Sequence, residues 1–256
     1  GNDCTAQVYA NANGYCNLVN GVPTCGLNCL AGSFDLDGNP ANGCECTFSV
    51  DTDHPDGTDH NCDGVDGEIN NAIFVAKTGD DFASGTINAP VRTIQAGINA
   101  ASSNGLRDVY VATGLYAESI ELVAGVSLYG GYSPNFGSRD PLLFETAILG
   151  QPSTNTLVAT VNAHGINGGG PPTQMVGFLV FGRDADILGS SSYAIRLVDC
   201  DERVSIRDNQ VFAGNGANGV FGAAGFDGNA GKNGETGVIS YDVFALACSG
   251  ENQGGD

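Results

Sequence analysis

Beyond residue 108 the chain is cut into short strand-like runs at 109–112, 119–122, 126–130, 146–149, 157–161, 175–181, 194–198, 204–206 and 238–247, each bounded by Gly, Asn, Asp or Ser. No two-residue Asn-Gly loop joins one run directly to the next, so the strands have to pair through crossovers, as parallel strands do. Apolar stations recur about every twenty residues, as at Val109, Val126 and Ile148, which favours stacked coils over a sandwich. The expected architecture is all-β, a parallel β-helix over residues 71–256.

Helical periodicity is confined to one place. Residues 90–102 put Ile94, Gly97, Ile98 and Ala101 on one face, a short amphipathic helix that begins after Pro90 and follows the apolar Ile73, Phe74 and Val75.

Upstream of the strands the constraint is electrostatic. Residues 51–68 read DTDHPDGTDHNCDGVDGE, seven carboxylates in eighteen residues, with no Lys or Arg before Lys77. Like charges cannot be held together in a fold without compensation. Hard oxygen ligands on a Gly-containing loop suit Ca2+, which accepts six to eight oxygens at variable geometry. Asp59-x-Asn61-x-Asp63-Gly64 matches the first half of a calcium loop. Position twelve of that loop is Asn70 instead of a bidentate Glu, which leaves Asp66 and Glu68 to close the sphere in another way. Asp51, Asp53 and Asp56 extend the candidate ligand set, and a second acidic turn offers Asp35, Asp37, Asn39 and Glu45. The structural alternative for both stretches is a solvated turn, since Asp, Asn and Gly are turn formers.

Cysteine is as uneven as charge. Cys4, Cys16, Cys25, Cys29, Cys44, Cys46 and Cys62 fall in the first quarter, with Cys200 and Cys248 far behind. Cys25-x3-Cys29 and Cys44-x-Cys46 lack paired zinc-ribbon spacing, so a disulfide framework of open connectivity is expected. An odd total leaves one Cys free, bonded to another chain, or bonded outside this sequence. The organisation expected is a disulfide-rich module at 1–50, an acidic calcium-binding linker at 51–70, and the solenoid.

A formal net charge of −20 argues against nucleic acid and anionic membranes as partners. No apolar run approaches the twenty residues of a membrane span. Gly1 is no initiator Met, and the sequence reads as a mature or excised segment, secreted or exposed on the cell surface.

The segments FVAKTGDDFASGTINAPVRTIQAGINAA, DVYVATGLYAESIEL and GVSLYGGY resemble the N-terminal cap and first coils of right-handed parallel β-helix proteins of the pectin-lyase-like superfamily, over about residues 74–212. The resemblance implies a capping helix that plugs the solenoid, with Val, Ile and Leu ladders inside. Asn209 resembles the coil-turn Asn that bonds to the neighbouring coil. CLAGSFDLDGNPANGCEC and DHNCDGVDGE resemble Cys-rich, Asp-rich metal-binding modules of myxobacterial-type secreted proteins, and are similar to thrombospondin type-3 calcium repeats.

Eight glycines stand at every third position from Gly216 to Gly237, within a Gly-triplet segment at 214–237. A bare face of period three suits polyproline II, but no Pro intervenes. A flexible loop, a polyproline II loop packed on the solenoid, and a segment that assembles with other copies all remain open.

That superfamily includes many lyases and hydrolases of acidic polysaccharides. Asp184, Asp186, Asp199, Asp201, Glu202, Arg183, Arg196, Arg203 and Arg207 fall in no recognisable catalytic motif. The three His are His54, His60 and His164, and there is no Arg-x-Lys. No catalytic residues are therefore assigned. The expected protein is a calcium-stabilised structural or adhesion protein, self-assembling into filaments or a surface layer. The alternative is a polysaccharide-binding, lyase or hydrolase β-helix, with Tyr110, Tyr116, Tyr129 and Tyr132 stacking on sugars if they point outward.

Overall fold

In the computed structural model, residues 3–152, 157–223, 225–228, 230–232, 234, 241–242 and 248–249 are described. The chain divides into a unit Gly1–Gly219 and a unit Val220–Asp256.

The first unit begins with an antiparallel hairpin, β1 (Ala12–Val19) and β2 (Val22–Cys29). Asn20 (φ 52°) and Gly21 (φ 78°) turn it in the left-handed region that a two-residue primed turn requires. The two-residue strands β3 (Ser33–Phe34) and β4 (Cys46–Thr47) pair antiparallel. This region buries little apolar surface, with Val19, Val22, Leu30 and Phe34 exposed, and three disulfides hold it instead: Cys4–Cys25, Cys29–Cys44 and Cys46–Cys62. The last bridge reaches into the acidic stretch.

After a 3-10 turn at Ile69–Asn71 come β5 (Ala72–Val75) and the helix α1 (Ile94–Asn104). Thr93 accepts the Ala96 amide as its N-cap, Gly105 closes it in the left-handed conformation, and the Glu118 carboxylate accepts the Ile94 and Gln95 amides. The buried face is Ile94, Gly97, Ile98 and Ala101, as the sequence spacing anticipates. At Gly97 a Cβ would lie 2.6 Å from Val75 Cγ2, so the helix approaches the first strand only because that position is bare.

The coils follow as β6 (Asp108–Ala112), β7 (Gly114–Ala117), β8 (Ile120–Glu121), β9 (Ser127–Tyr132), β10 (Thr146–Leu149), β11 (Leu157–His164), β12 (Thr173–Val176), β13 (Leu179–Phe181), β14 (Ser191–Val198), β15 (Val204–Arg207) and β16 (Gln210–Phe212). They stack into three parallel sheets, ordered β15-β12-β9-β6-β5, β16-β13-β10-β7 and β14-β11-β8. The result is a β-solenoid of about 4 turns. The second unit holds the short antiparallel pair β17 (Tyr241–Asp242) and β18 (Cys248–Ser249).

Inward residues form ladders. Ile73, Val109, Leu128, Met175 and Ile206 are successive partners on the first sheet, and Tyr116, Ile148, Val180 and Val211 on the second. The expected twenty-residue spacing holds for one step on this sheet, where Asp108 pairs with Ser127, and fails for the others, where Ile73 pairs with Val109, Leu128 with Met175 and Thr173 with Val204. Loops inserted between strands lengthen later coils, and Ile148 belongs to a different sheet from Val109. The single run expected at 175–181 is two strands, broken where Gly177 turns the corner at φ 83°. Asn209 links two coils: its Oδ1 accepts the Phe178 amide and its Nδ2 donates to the Met175 carbonyl.

In the glycine segment, the Ala217 amide donates to the Ser190 carbonyl, and the Gly189 amide to that of Asn218. A Cβ on Gly219, Gly222, Gly225, Gly228, Gly231 or Gly234 would meet nothing within 4 Å, so close packing among the described residues does not explain these glycines. Gly237, like most of the run expected at 238–247, lies outside the described residues.

Candidate metal centre

The acidic stretch folds over the outer face of the first sheet as a strap. There Phe74, Tyr110, Tyr129 and Val176 are successive partners and, with Val65, Tyr132 and Phe136, form a second apolar cluster outside the solenoid. Phe74 meets Tyr110 and Phe136 edge-on at 5.6 and 4.9 Å, and Tyr110 stacks on Tyr132 at 4.9 Å. Polar tips fasten the strap: the Tyr132 hydroxyl donates to the Asp66 carbonyl at 2.6 Å, the Glu68 amide to the Tyr110 hydroxyl at 2.9 Å, and Arg139 Nη1 to the Pro55 carbonyl at 2.8 Å. Gly67 (φ 118°) lies against the Tyr110 hydroxyl where a Cβ would collide.

Within the strap, short side chains fold the backbone on itself. The Asp63 amide donates to Asn61 Oδ1, the Val65 amide to Asp63 Oδ1, and the Gly64 amide to Asp59 Oδ2, around a turn in which Gly64 has φ 93°. Cys62, itself at φ 57°, is pinned by its bridge to Cys46. Asp53 Oδ1 accepts the His60 amide at 3.2 Å, which brings the start of the strap against its middle.

Asp53, Asp59 and Asp63 thereby converge, each offering a carboxylate oxygen within 4.8 Å of the others. Asp53 is 2% exposed, and its Oδ2, like Asp59 Oδ1, is buried with no hydrogen-bond partner. Two buried acceptors that make no well-formed hydrogen bond are costly in free energy, the nearby Gly67 amide easing Asp53 only in part, and like charge around them raises that cost. Burial, with the Asp59 charge a lesser contribution, pushes the Asp53 and Asp63 carboxyls above the usual carboxylate range. A cation in the cluster would supply what is missing, positive charge and a partner for each orphaned oxygen. The donor set, all carboxylate oxygen, fits a hard divalent ion.

The remaining candidates do other work. Both oxygens of Asp66 accept main-chain amides, from Asp56 at 3.0 Å and Gly57 at 2.8 Å, and burial raises its pKa to about 6. Asp56 accepts the Thr58 amide and faces His60, Asp51 accepts the Ser49 hydroxyl, and Asn61 supports the turn. Glu68 lines a cleft with Asn71, Arg107 and Asp108 instead of closing the cluster. A second acidic group, Asp35, Asp37 and Glu45, also converges, but all three are exposed and already accept the Gly38, Asn39 and Leu36 amides. Asn39 Oδ1 accepts the Ala41 amide and is not part of it.

The tyrosines do not form an open stacking platform. Tyr110, Tyr116 and Tyr132 are fully buried and Tyr129 is 7% exposed. Tyr116 faces the solenoid interior, donating to the Ala112 carbonyl, while the other three lie under the strap. Sequence periodicity places such residues on an outer face but not beneath a loop that covers it.

Where the strap ends, a cleft of about 500 Å3 opens, lined by His54, Pro55, Tyr129, Arg139, Gln174 and Arg207 among others. Arg139 is 9% exposed and its Nη2 has no hydrogen-bond partner. Among the described residues, no helix is long and apolar enough to cross a membrane. No family model matches this chain, and neither do curated proteins or solved structures.

Proposed function

We propose that this is a secreted or cell-surface structural or adhesion protein of the pectin-lyase-like kind, in which Ca2+ held by Asp53, Asp59 and Asp63 fastens the acidic strap to a non-catalytic β-solenoid. The observation that carries the reading is the pair of buried, unpartnered oxygens, Asp53 Oδ2 and Asp59 Oδ1, in an all-carboxylate cluster. Calcium's role is mechanical: an ion that binds only the ordered strap stabilises it by mass action. The Cys46–Cys62 bridge makes the strap continuous with the disulfide module, so rigidity at the cluster reaches the N-terminal region. Myxobacterial-type kinship and assembly into filaments or a surface layer belong to the same proposal. Chelation is expected to increase proteolysis between residues 46 and 74; identical cleavage with and without chelator defeats the reading.

A second reading has its own support. Arg207, with the buried Arg139 behind it, lines the cleft beside Tyr129 and Gln174, and Asp56 and Asp208 line the same cleft; the two cations, a ring edge and an amide are groups suited to an acidic polysaccharide. Binding to polyuronates on a glycan array, lost in Arg207→Ala, supports it. Release of ultraviolet-absorbing unsaturated products identifies a lyase.

A further inference from the structure

Three of the first four cysteines lie on one face of the N-terminal hairpin, and only two of them are bonded to each other. Cys16 on β1 is directly opposite Cys25 on β2, and residues opposite one another in an antiparallel pair project to the same side. Cys25 is bridged to Cys4, whose carbonyl lies against Gly14, two residues from Cys16 and on the same face of the strand. Cys16 itself is exposed and carries a free thiol.

Cross-strand partners place their Cβ atoms about 4.5–5.5 Å apart, and a disulfide needs about 3.5–4.5 Å, so Cys16 and Cys25 can bond with a small closure of two strands already in register. We infer that Cys16 is an internal exchange site: its thiolate attacks Cys25 Sγ, the Cys4–Cys25 bond breaks, a Cys16–Cys25 bond forms, and Cys4 leaves as a thiolate that takes a proton. One disulfide and one thiol stand on each side, so no oxidant or reductant is consumed. Geometry around the attacked sulfur drives the choice, since the hairpin fixes Cys25 beside Cys16 in both isomers.

The two isomers differ in what they restrain. Cys4–Cys25 joins residues 21 apart and ties the N-terminal arm to the hairpin, where Cys4 is 4% exposed. Cys16–Cys25 lies within the hairpin and removes the covalent tie between hairpin and arm, leaving Cys4 as the thiol. The exposed thiol of one form is thus exchanged for a thiol on an arm no longer cross-linked, a covalent switch at the end of the disulfide module.

Acid quenching, alkylation with N-ethylmaleimide and non-reducing peptide mapping of the full chain read the isomers directly. The expected result, after incubation near pH 8 without added thiol, is a growing Cys16–Cys25 peptide matched by alkylated Cys4. Cys16→Ser abolishes it, and Cys4→Ser gives a Cys16–Cys25 bridge throughout. A wild-type map that stays at Cys4–Cys25 with alkylated Cys16 at every time overturns the inference, whatever the variants do.

Discussion

The solenoid presents two sheets with apolar outer faces, and among the described residues only one of them is covered. On the first sheet, Phe74, Tyr110, Tyr129 and Val176 lie under the strap; on the second, Ala117, Leu149, Phe181 and Phe212 are successive partners with Leu149 38% and Phe212 47% exposed. Phe181 and Phe212 stack at 4.8 Å, so cross-coil contact between neighbours is made on both faces. The difference lies in the layer above. The strap brings aromatic burial and hydrogen bonds with tyrosine hydroxyls, but it also brings Asp53, Asp59 and Asp63 together and buries Asp66 beside them in sequence, and burial opposes the ionisation of Asp53, Asp63 and Asp66. A covered face is gained at the cost of concentrated charge, a cost that a cation bound in the cluster would remove.

The contrast can be broken first where the expected effect is largest. Phe74→Ala is expected to destabilise by about 3–5 kcal/mol, because it empties the centre of the covered cluster; chemical denaturation measures it, and a loss below about 1 kcal/mol shows that the strap's apolar contacts contribute little. Replacing Cys46 and Cys62 by Ser opens the loop that pins the strap and is expected to cost about 3 kcal/mol, with the strap becoming the first site of proteolysis. Tyr132→Phe leaves the buried Asp66 carbonyl without its donor and should cost about 1–3 kcal/mol. Phe212→Ala, on the uncovered face, should change stability by only about 0.5–1.5 kcal/mol, the scale of an exposed aromatic pair. An effect as large as that of Phe74→Ala would mean that something covers that face in solution.

A pH series sharpens the electrostatic side. Asp66 is raised to about 6 and Asp53 and Asp63 are raised in the same direction, so the fold favours their neutral forms in the metal-free protein. Their contribution to stability is complete below the ordinary carboxylate value of 3.8 and is lost as pH rises through about 6. Chelated protein is therefore expected to resist proteolysis in the strap better at pH 5 than at pH 7.5, with calcium closing the gap by stabilising the ionised forms.

Much of this is legible in the sequence. Ile94, Gly97, Ile98 and Ala101 announce the helix face, and short runs bounded by turn residues announce stacked coils, because both follow from local periodicity. The hairpin at residues 12–29 escapes that reading, although Asn20-Gly21 is a strong turn signal; flanking residues such as Asn13, Gly14, Asn17 and Thr24 carry too little apolar alternation to mark strands. The acidic run is visible, but not its partition. Asp53 and Asp66 differ only in what reaches them in space: Asp53 accepts the His60 amide on Oδ1 and leaves Oδ2 without a hydrogen bond, whereas both oxygens of Asp66 accept main-chain amides. Nor can composition reveal that Tyr110 and Tyr132 serve as anchors for the strap, since that depends on a loop crossing a distant sheet.

Calorimetric titration of calcium into the chelator-stripped protein, alongside Asp53→Asn and a variant with Asp53, Asp59 and Asp63 all changed to Asn, tests the central claim most directly. The account predicts saturable binding in the wild type, at least about tenfold weaker in Asp53→Asn, equivalent to about 1.4 kcal/mol, and absent in the triple variant. Binding of equal strength in all three proteins, or no binding in the wild type, contradicts it.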